Sequence, residues 1–167
     1  MGQADAQLAR LGEIARLFER DGVDWWLFGG WAVDFHAGRI TREHDDLDLA
    51  IWASDRDRVD ALLAAHRWRR APEEGEDGYT AYERMDVKLE LAFLACGEGG
   101  RISTPLRDGR RAEWPDGTFG GDVIELRGVR ARVVSRHALR EDKRTAKGDP
   151  RIDAKDAADV ATLDALG

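Results

Sequence analysis

Residues 29–52 read GGWAVDFHAGRITREHDDLDLAIW, and three aspartates within them, Asp45, Asp46 and Asp48, stand at the mouth of an apolar strand. That strand is LDLAIW, residues 47–52. Its alternation sends Leu47, Leu49 and Ile51 into a core and leaves Asp46 and Asp48 on the opposite face, ~6–7 Å apart along the chain. Two carboxylates so placed repel each other unless a cation lies between them. Hard oxygen ligands on a rigid strand suit Mg²⁺, which keeps part of its water shell and shares the rest with substrate phosphates.

The preceding residues supply a place for those phosphates. WWLF, 25–28, is a short apolar strand that runs into Gly29 and Gly30, and Trp31 to Ala37 can form a short helix closed by Gly38. A diglycine lets backbone N–H groups approach an anion closely, and the helix N-terminus adds a favourable dipole. Diglycines are commonly plain turns, and solvated aspartates are common at strand starts. Here the two occur in order on adjacent elements, which together describe a site for a nucleoside triphosphate with Mg²⁺.

Outward from this stretch, helices and strands alternate. Leu8, Leu11, Ile14, Leu17 and Phe18 recur at helical spacing, which predicts an amphipathic helix over Asp5 to Arg20 that stops at Gly22. Ser54 is expected to cap a helix running to about His66, followed by a polar loop, PEEGEDG, at 72–78. YTAYERM and DVKLELAFLA read as consecutive strands, the second with Val87, Leu89, Leu91 and Phe93 on one face. Residues 97–121 are expected to be mostly loop, then VIEL and RARVV to be strands. Ser135 should cap a helix that carries Lys143, GDP at 148–150 should break it, and Asp153 to Leu166 should form the last helix. The expected fold is α/β (α+β), a small, mixed and strongly twisted sheet with helices packed against it.

The chain has 167 residues, enough for one domain with a core, expected over 1–167 with C-terminal helices from about 135. Its 43% hydrophobic and 35% charged residues fit a globular protein. No apolar run reaches the ~18 residues a membrane helix needs, so no membrane partner and a cytoplasmic location are expected. Cys96 is the sole cysteine, which excludes an intrachain disulfide and a multi-cysteine zinc site. The formal net charge of −7 disfavours a nucleic-acid partner.

The quoted stretch resembles the core signature of the polymerase-beta-type nucleotidyltransferases, and most closely the small antibiotic nucleotidyltransferases acting on lincosamides and aminoglycosides. The likeness is dense over 25–52, thinner at 86–94 and 143–163, and rests on the glycines, the TREH lead-in and the alternating aspartates occurring together. It implies in-line attack of an acceptor hydroxyl on the α-phosphorus of a nucleoside triphosphate, with loss of pyrophosphate and two Mg²⁺ ions at the reacting centre. ATP or another nucleoside triphosphate is the expected donor, with AMP the favoured group to be transferred. Asp46 and Asp48 would hold the metals, and Gly29 and Gly30 the β- and γ-phosphates. Trp31, Arg42 and Lys143 complete the expected nucleotide-binding set.

Family members also use a third carboxylate on a neighbouring strand, as metal ligand and in some cases as base. Period two puts Asp86, Lys88, Glu90 and Ala92 on the non-core face of DVKLELAF. Glu90 is chosen, since LELAF fits the family's pattern best; Asp86, at the strand's start, stays open as the alternative. Some relatives carry their base where Lys88 stands.

Other residues have plainer readings beside the functional one. Arg42 and His44 could steady the aspartates or touch phosphate, or lie in a solvated loop. Lys143 could meet the triphosphate or be a surface lysine. Asp34 and His36 are expected to pack or cap, and Asp156 and Asp159 to serve structure or interaction. The six tryptophans are expected in core and edge packing, with one available to stack a base or to contact a second copy of the chain in a homodimer. Glu73, Glu74, Glu76 and Asp77 could lie near the cleft, a field that favours a cationic hydroxyl acceptor such as an aminoglycoside. The alternative function is a nucleotidyltransferase-like module of a toxin–antitoxin pair, acting on or through a protein or RNA.

Overall fold

The computed structural model describes residues 2–71 and 77–167. Glu73, Glu74 and Glu76, and most of the polar loop expected at 72–78, lie outside the described residues. The apolar stripe of the first segment folds as helix α1, Gln3–Arg20, with Leu8, Leu11, Ile14 and Phe18 buried. Strand β1, Trp25–Phe28, leads directly into helix α2, Gly29–Ala37, which Gly38 closes in the left-handed conformation. Strand β2 is Asp46–Trp52, one residue longer than its alternation predicts, and helix α3 is Arg56–Ala65. Ser54 does not cap α3: Ala53–Asp55 form a 3₁₀ turn ahead of it.

Strands β3, Arg69–Arg70, β4, Tyr79–Arg84, and β5, Val87–Cys96, follow. The segment expected to be mostly loop holds two further strands, β6, Ile102–Pro105, and β7, Arg111–Glu113. Both are too short for a sequence period to declare them, and cross-strand pairing with β5 and with each other makes them strands. The chain ends with β8, Asp122–Leu126, β9, Val129–Val133, and helices α4, Arg136–Arg144, and α5, Pro150–Ala165. Helix α5 starts three residues earlier than its apolar pattern suggests. Pro150 occupies its first turn, where proline lacks only a donor that would go unused, and the Asp149 side chain accepts from the Arg151 N–H.

Among the described residues the strands form one mixed sheet in the order β3-β4-β5-β2-β1-β9-β8, with β6 on the end of β5 and β7 beside it. The central pair β2 and β5 is parallel, and β1 is antiparallel to β2. Leu47, Leu49 and Ile51 of β2 join Leu89, Leu91 and Phe93 of β5 in the core, as the alternation requires. Helix α1 packs against β9, β2 and β5, while α4 and α5 pack on each other and on α2. The C-terminal helices therefore sit beside the element that follows the diglycine.

Candidate active site

Parallel pairing of β2 with β5 puts Asp48 opposite Glu90 and Asp46 opposite Lys88, and antiparallel pairing of β1 puts Phe28 opposite Asp48. Asp46, Asp48 and Glu90 each turn a carboxylate oxygen into one cluster whose ligand atoms lie within 4.8 Å of one another. Asp86, the alternative third carboxylate, is exposed at a left-handed position in the β4–β5 turn and does not join them. The Lys88 ammonium pairs with Glu90 at 3.0 Å. Burial, and then the Glu90 charge, push the Asp46 carboxyl above the usual range, and the Lys88 charge opposes that shift. Asp45 points elsewhere. It is exposed and paired with Lys155 of α5, whose hydrogen bond holds the Asp45 carboxyl below the usual range.

The diglycine closes on this cluster. Gly29 has a φ of +69°, and a Cβ there would stand 2.1 Å from Oδ2 of Asp48, so only glycine fits on both counts. A Cβ on Gly30 would stand 2.4 Å from Nδ1 of His44 and 2.7 Å from Nη2 of Arg42. Two nitrogen-bearing side chains thus lie over its backbone. Phe28, the residue before α2, makes no side-chain capping bond, so the first amides of the helix keep their capacity to bind an anion. Three acidic oxygen donors beside such a turn are the donor set that a hard divalent cation with a phosphate ligand requires.

His44 is buried, and its Nε2 lies 2.6 Å from Oδ2 of Asp34, whose other oxygen accepts from the Thr41 N–H at 3.1 Å. Asp34 thereby ties α2 to the residues that lead into β2. Trp31 stacks its indole near His44, with ring centroids 4.9 Å apart, and donates to buried Gln7 at 3.0 Å, so its side chain packs inside. Half-buried His36 contacts the Val134 carbonyl at 2.9 Å, and its partial burial lowers its pKa.

Arg42 makes a two-pronged contact with Asp159 of α5, at 2.9 and 2.8 Å. Lys143 of α4 lies 3.0 Å from both Asp156 and Asp159, with its side chain only 8% exposed. Burial alone would raise the Asp159 carboxyl; the hydrogen bonds from Arg42 and the charge of Lys143 outweigh it and hold Asp159 below the usual range. Burial would likewise lower the Lys143 ammonium, and the two aspartates hold it above its ordinary value instead. The two cations expected to serve a nucleotide are engaged by α5.

A cleft of about 270 Å³ opens beside Gly29, between Phe28, Tyr79 and Trp114 on one side and α4 on the other. Phe28 meets Trp114 edge-on at 5.3 Å and Tyr79 at 6.1 Å, an aromatic wall that begins at the residue paired with Asp48. Asp77, Glu113, Glu141 and Asp142 border the cleft, and no Lys or Arg does among the described residues. Much of that charge is answered close by: Asp142 pairs with Lys147 at 2.9 Å, Glu113 with Arg101 at 3.4 Å and Asp77 with Arg107 at 3.8 Å. Sequence reading names Asp77 but misses this wall. Its aromatics come from separate segments, and no local pattern unites them.

The sequence pattern of the aminoglycoside-2''-adenylyltransferase family matches residues 10–163. A 2''-aminoglycoside nucleotidyltransferase of Klebsiella pneumoniae is 32% identical over 113 residues, 68% of this chain and 52% of that protein. The chain thus spans about half the length of the curated relatives it matches. A lincosamide resistance protein of Staphylococcus haemolyticus is 44% identical over 46 residues, 28% of this chain and 29% of its own. Among solved structures, ANT(2")-Ia in complex with adenylyl-2"-tobramycin superposes with a TM-score of 0.75 at 22% identity, covering 97% of this chain and 90% of that one. Lincomycin-bound LnuA, a lincosamide antibiotic adenylyltransferase, gives 0.72 at 20% identity, covering 93% and 94%. These likenesses establish the nucleotidyltransferase fold.

Proposed function

This chain belongs to the aminoglycoside-2''-adenylyltransferase family, and from that premise we propose that it transfers AMP from ATP to a hydroxyl of a small cationic antibiotic, an aminoglycoside or an amine-bearing lincosamide. The observation that carries the reading is the meeting of Asp46, Asp48 and Glu90 within 4.8 Å, directly against the Gly29 backbone. Family membership favours this over a module of a toxin–antitoxin pair.

In this reading Asp46, Asp48 and Glu90 hold two Mg²⁺ ions with the nucleotide. Bound there, the metals supply charge neutralisation of the triphosphate and activation of the attacking oxygen. The amides of Gly29, Gly30 and Trp31 orient the β- and γ-phosphates, and Arg42, already over Gly30, adds positive charge to that cradle. Lys143 contributes through Asp159, which it helps to hold against Arg42. Glu90 takes the acceptor's proton as the hydroxyl attacks. The acceptor lies in the cleft, where Asp77, Glu113 and Glu141 attract its amines and the aromatic wall packs on its rings. The chain acts as one domain in this scheme.

The test is incubation with Mg²⁺, each nucleoside triphosphate in turn and a panel of aminoglycosides, lincosamides and neutral polyols. Release of pyrophosphate with an adenylyl mass gain on an amine-bearing antibiotic is expected. Modification of the neutral compounds alone, or of none, overturns the assignment.

A further inference from the structure

Lys88 has no part in the scheme above, yet its ammonium reaches into the carboxylate cluster. It faces Asp46 across the β2–β5 pair and stands two residues before Glu90 on the same face of β5. Its ammonium lies 3.0 Å from Oε1 of Glu90, whose side chain is 8% exposed. Its charge also reaches Asp46. One ammonium therefore acts on two of the three clustered carboxylates, and it occupies space next to the oxygens that would take a metal.

We propose that Lys88 is the resident counter-ion of this site: it holds Glu90 while the cluster is metal-free and competes with a divalent cation for it, so that it sets how tightly the site takes metal. Three carboxylates within 4.8 Å repel strongly when partly buried. An ammonium on the same strand offsets part of that repulsion and keeps the cluster assembled. The same charge opposes the entry of a second cation, and Glu90 must exchange its ammonium partner for the metal. A site built this way binds metal weakly until the nucleotide brings further oxygen ligands and negative charge, which couples metal uptake to substrate. The inference rests on the reading of Asp46, Asp48 and Glu90 as the metal site.

Calorimetric titration of the nucleotide-free protein with Mn²⁺, together with melting curves with and without Mn²⁺, tests it. Lys88 is 30% exposed on its side chain, so the fold tolerates neutral replacements there. Lys88→Met and Lys88→Gln should each bind Mn²⁺ about tenfold more tightly than wild type. Their metal-free melting temperatures should be lower, and Mn²⁺ should restore them. Lys88→Arg, which keeps the charge, should match wild type. Unchanged or weaker Mn²⁺ affinity in both neutral variants overturns the proposal, because a lysine that merely packs or props Glu90 gives that result. Asp48→Asn separates this failure from that of the underlying reading. If Asp48→Asn binds Mn²⁺ as wild type does, the cluster is not the metal site and the Lys88 proposal falls with it. If Asp48→Asn loses binding while the neutral Lys88 variants equal wild type, only the Lys88 proposal falls.

Discussion

Two groups of partly buried carboxylates lie on either side of the diglycine, and they are built differently. On the α5 side, Asp156 and Asp159 meet Arg42 and Lys143, two carboxylates with two cations, at contacts of 2.8 to 3.0 Å. On the sheet side, Asp46, Asp48 and Glu90 bring three carboxylates together, with the Lys88 ammonium 3.0 Å from Glu90 and its charge reaching Asp46. Burial raises both carboxyls: at Asp159 the Arg42 hydrogen bond and the Lys143 charge outweigh it and hold the group below the ordinary range, whereas at Asp46 the Glu90 charge adds to it and pushes the group above. A balanced buried group acts as structure. A group left short of positive charge is poised to take a cation from outside the chain.

The strongest way to break this contrast is to remove charge from the unbalanced group. Asp46→Asn or Asp48→Asn should abolish nucleotide transfer while the melting temperature of the metal-free protein stays level or rises, since each change relieves repulsion at constant volume. Turnover near wild type in both variants would end the metal-binding assignment. Glu90→Gln should lower turnover by ~10²-fold or more with less effect on nucleotide binding, the usual size of a lost general base. Single-turnover kinetics beside nucleotide titration separates the two effects. If Asp86→Asn is the inactive variant instead, the strand assignment of the third carboxylate is wrong.

The balanced group should respond in the opposite way. Asp159→Asn leaves Arg42 and Lys143 without their shared partner and should destabilise the fold by about 3 kcal/mol, the usual cost of breaking a buried ion pair from one side. Denaturant unfolding measures it; a loss below about 0.5 kcal/mol would place Asp159 among ordinary surface positions.

The smallest effect, and the sharpest discriminator, is in pH. A carboxyl held below its unfolded value contributes stability that is present above about pH 4 and lost as pH falls through the lower folded value. The penalty of Asp159→Asn should therefore be full at neutral pH and shrink on acidification. A carboxyl pushed above its unfolded value does the reverse, since the folded chain holds the proton more tightly and loses stability as pH rises from about 4 through the raised value. The gain from Asp46→Asn in metal-free protein should therefore grow over that interval and stay level beyond it. Unfolding curves across pH 3 to 8 that move the two variants in the same direction would dissolve the contrast.

Much of the sheet side is legible in the chain. Period two in LDLAIW separates Leu47, Leu49 and Ile51 from Asp46 and Asp48, and the same period puts Lys88 and Glu90 on one face of β5. The preference for Glu90 over Asp86 needs the family's pattern as well. By contrast, β3, β6 and β7 are invisible locally, since runs of two to four residues carry no period and become strands only when a neighbour pairs with them. The α5 side is less legible still. Arg42 and Asp159 are 117 positions apart, and each alone resembles a solvated surface charge.

What the sequence determined by itself was therefore local: which face of each strand is apolar, where glycine must turn the chain, and which carboxylates stand at the mouth of β2. These are matters of side-chain period and backbone freedom, and both are written residue by residue. Only the tertiary structure decided which charges meet. Parallel pairing of β2 with β5 sets Asp48 beside Glu90 and Asp46 beside Lys88, and the packing of α4 and α5 gives Arg42 and Lys143 to Asp159. Charge interactions depend on separation in space and on the exclusion of water, and neither can be read from distance along the chain.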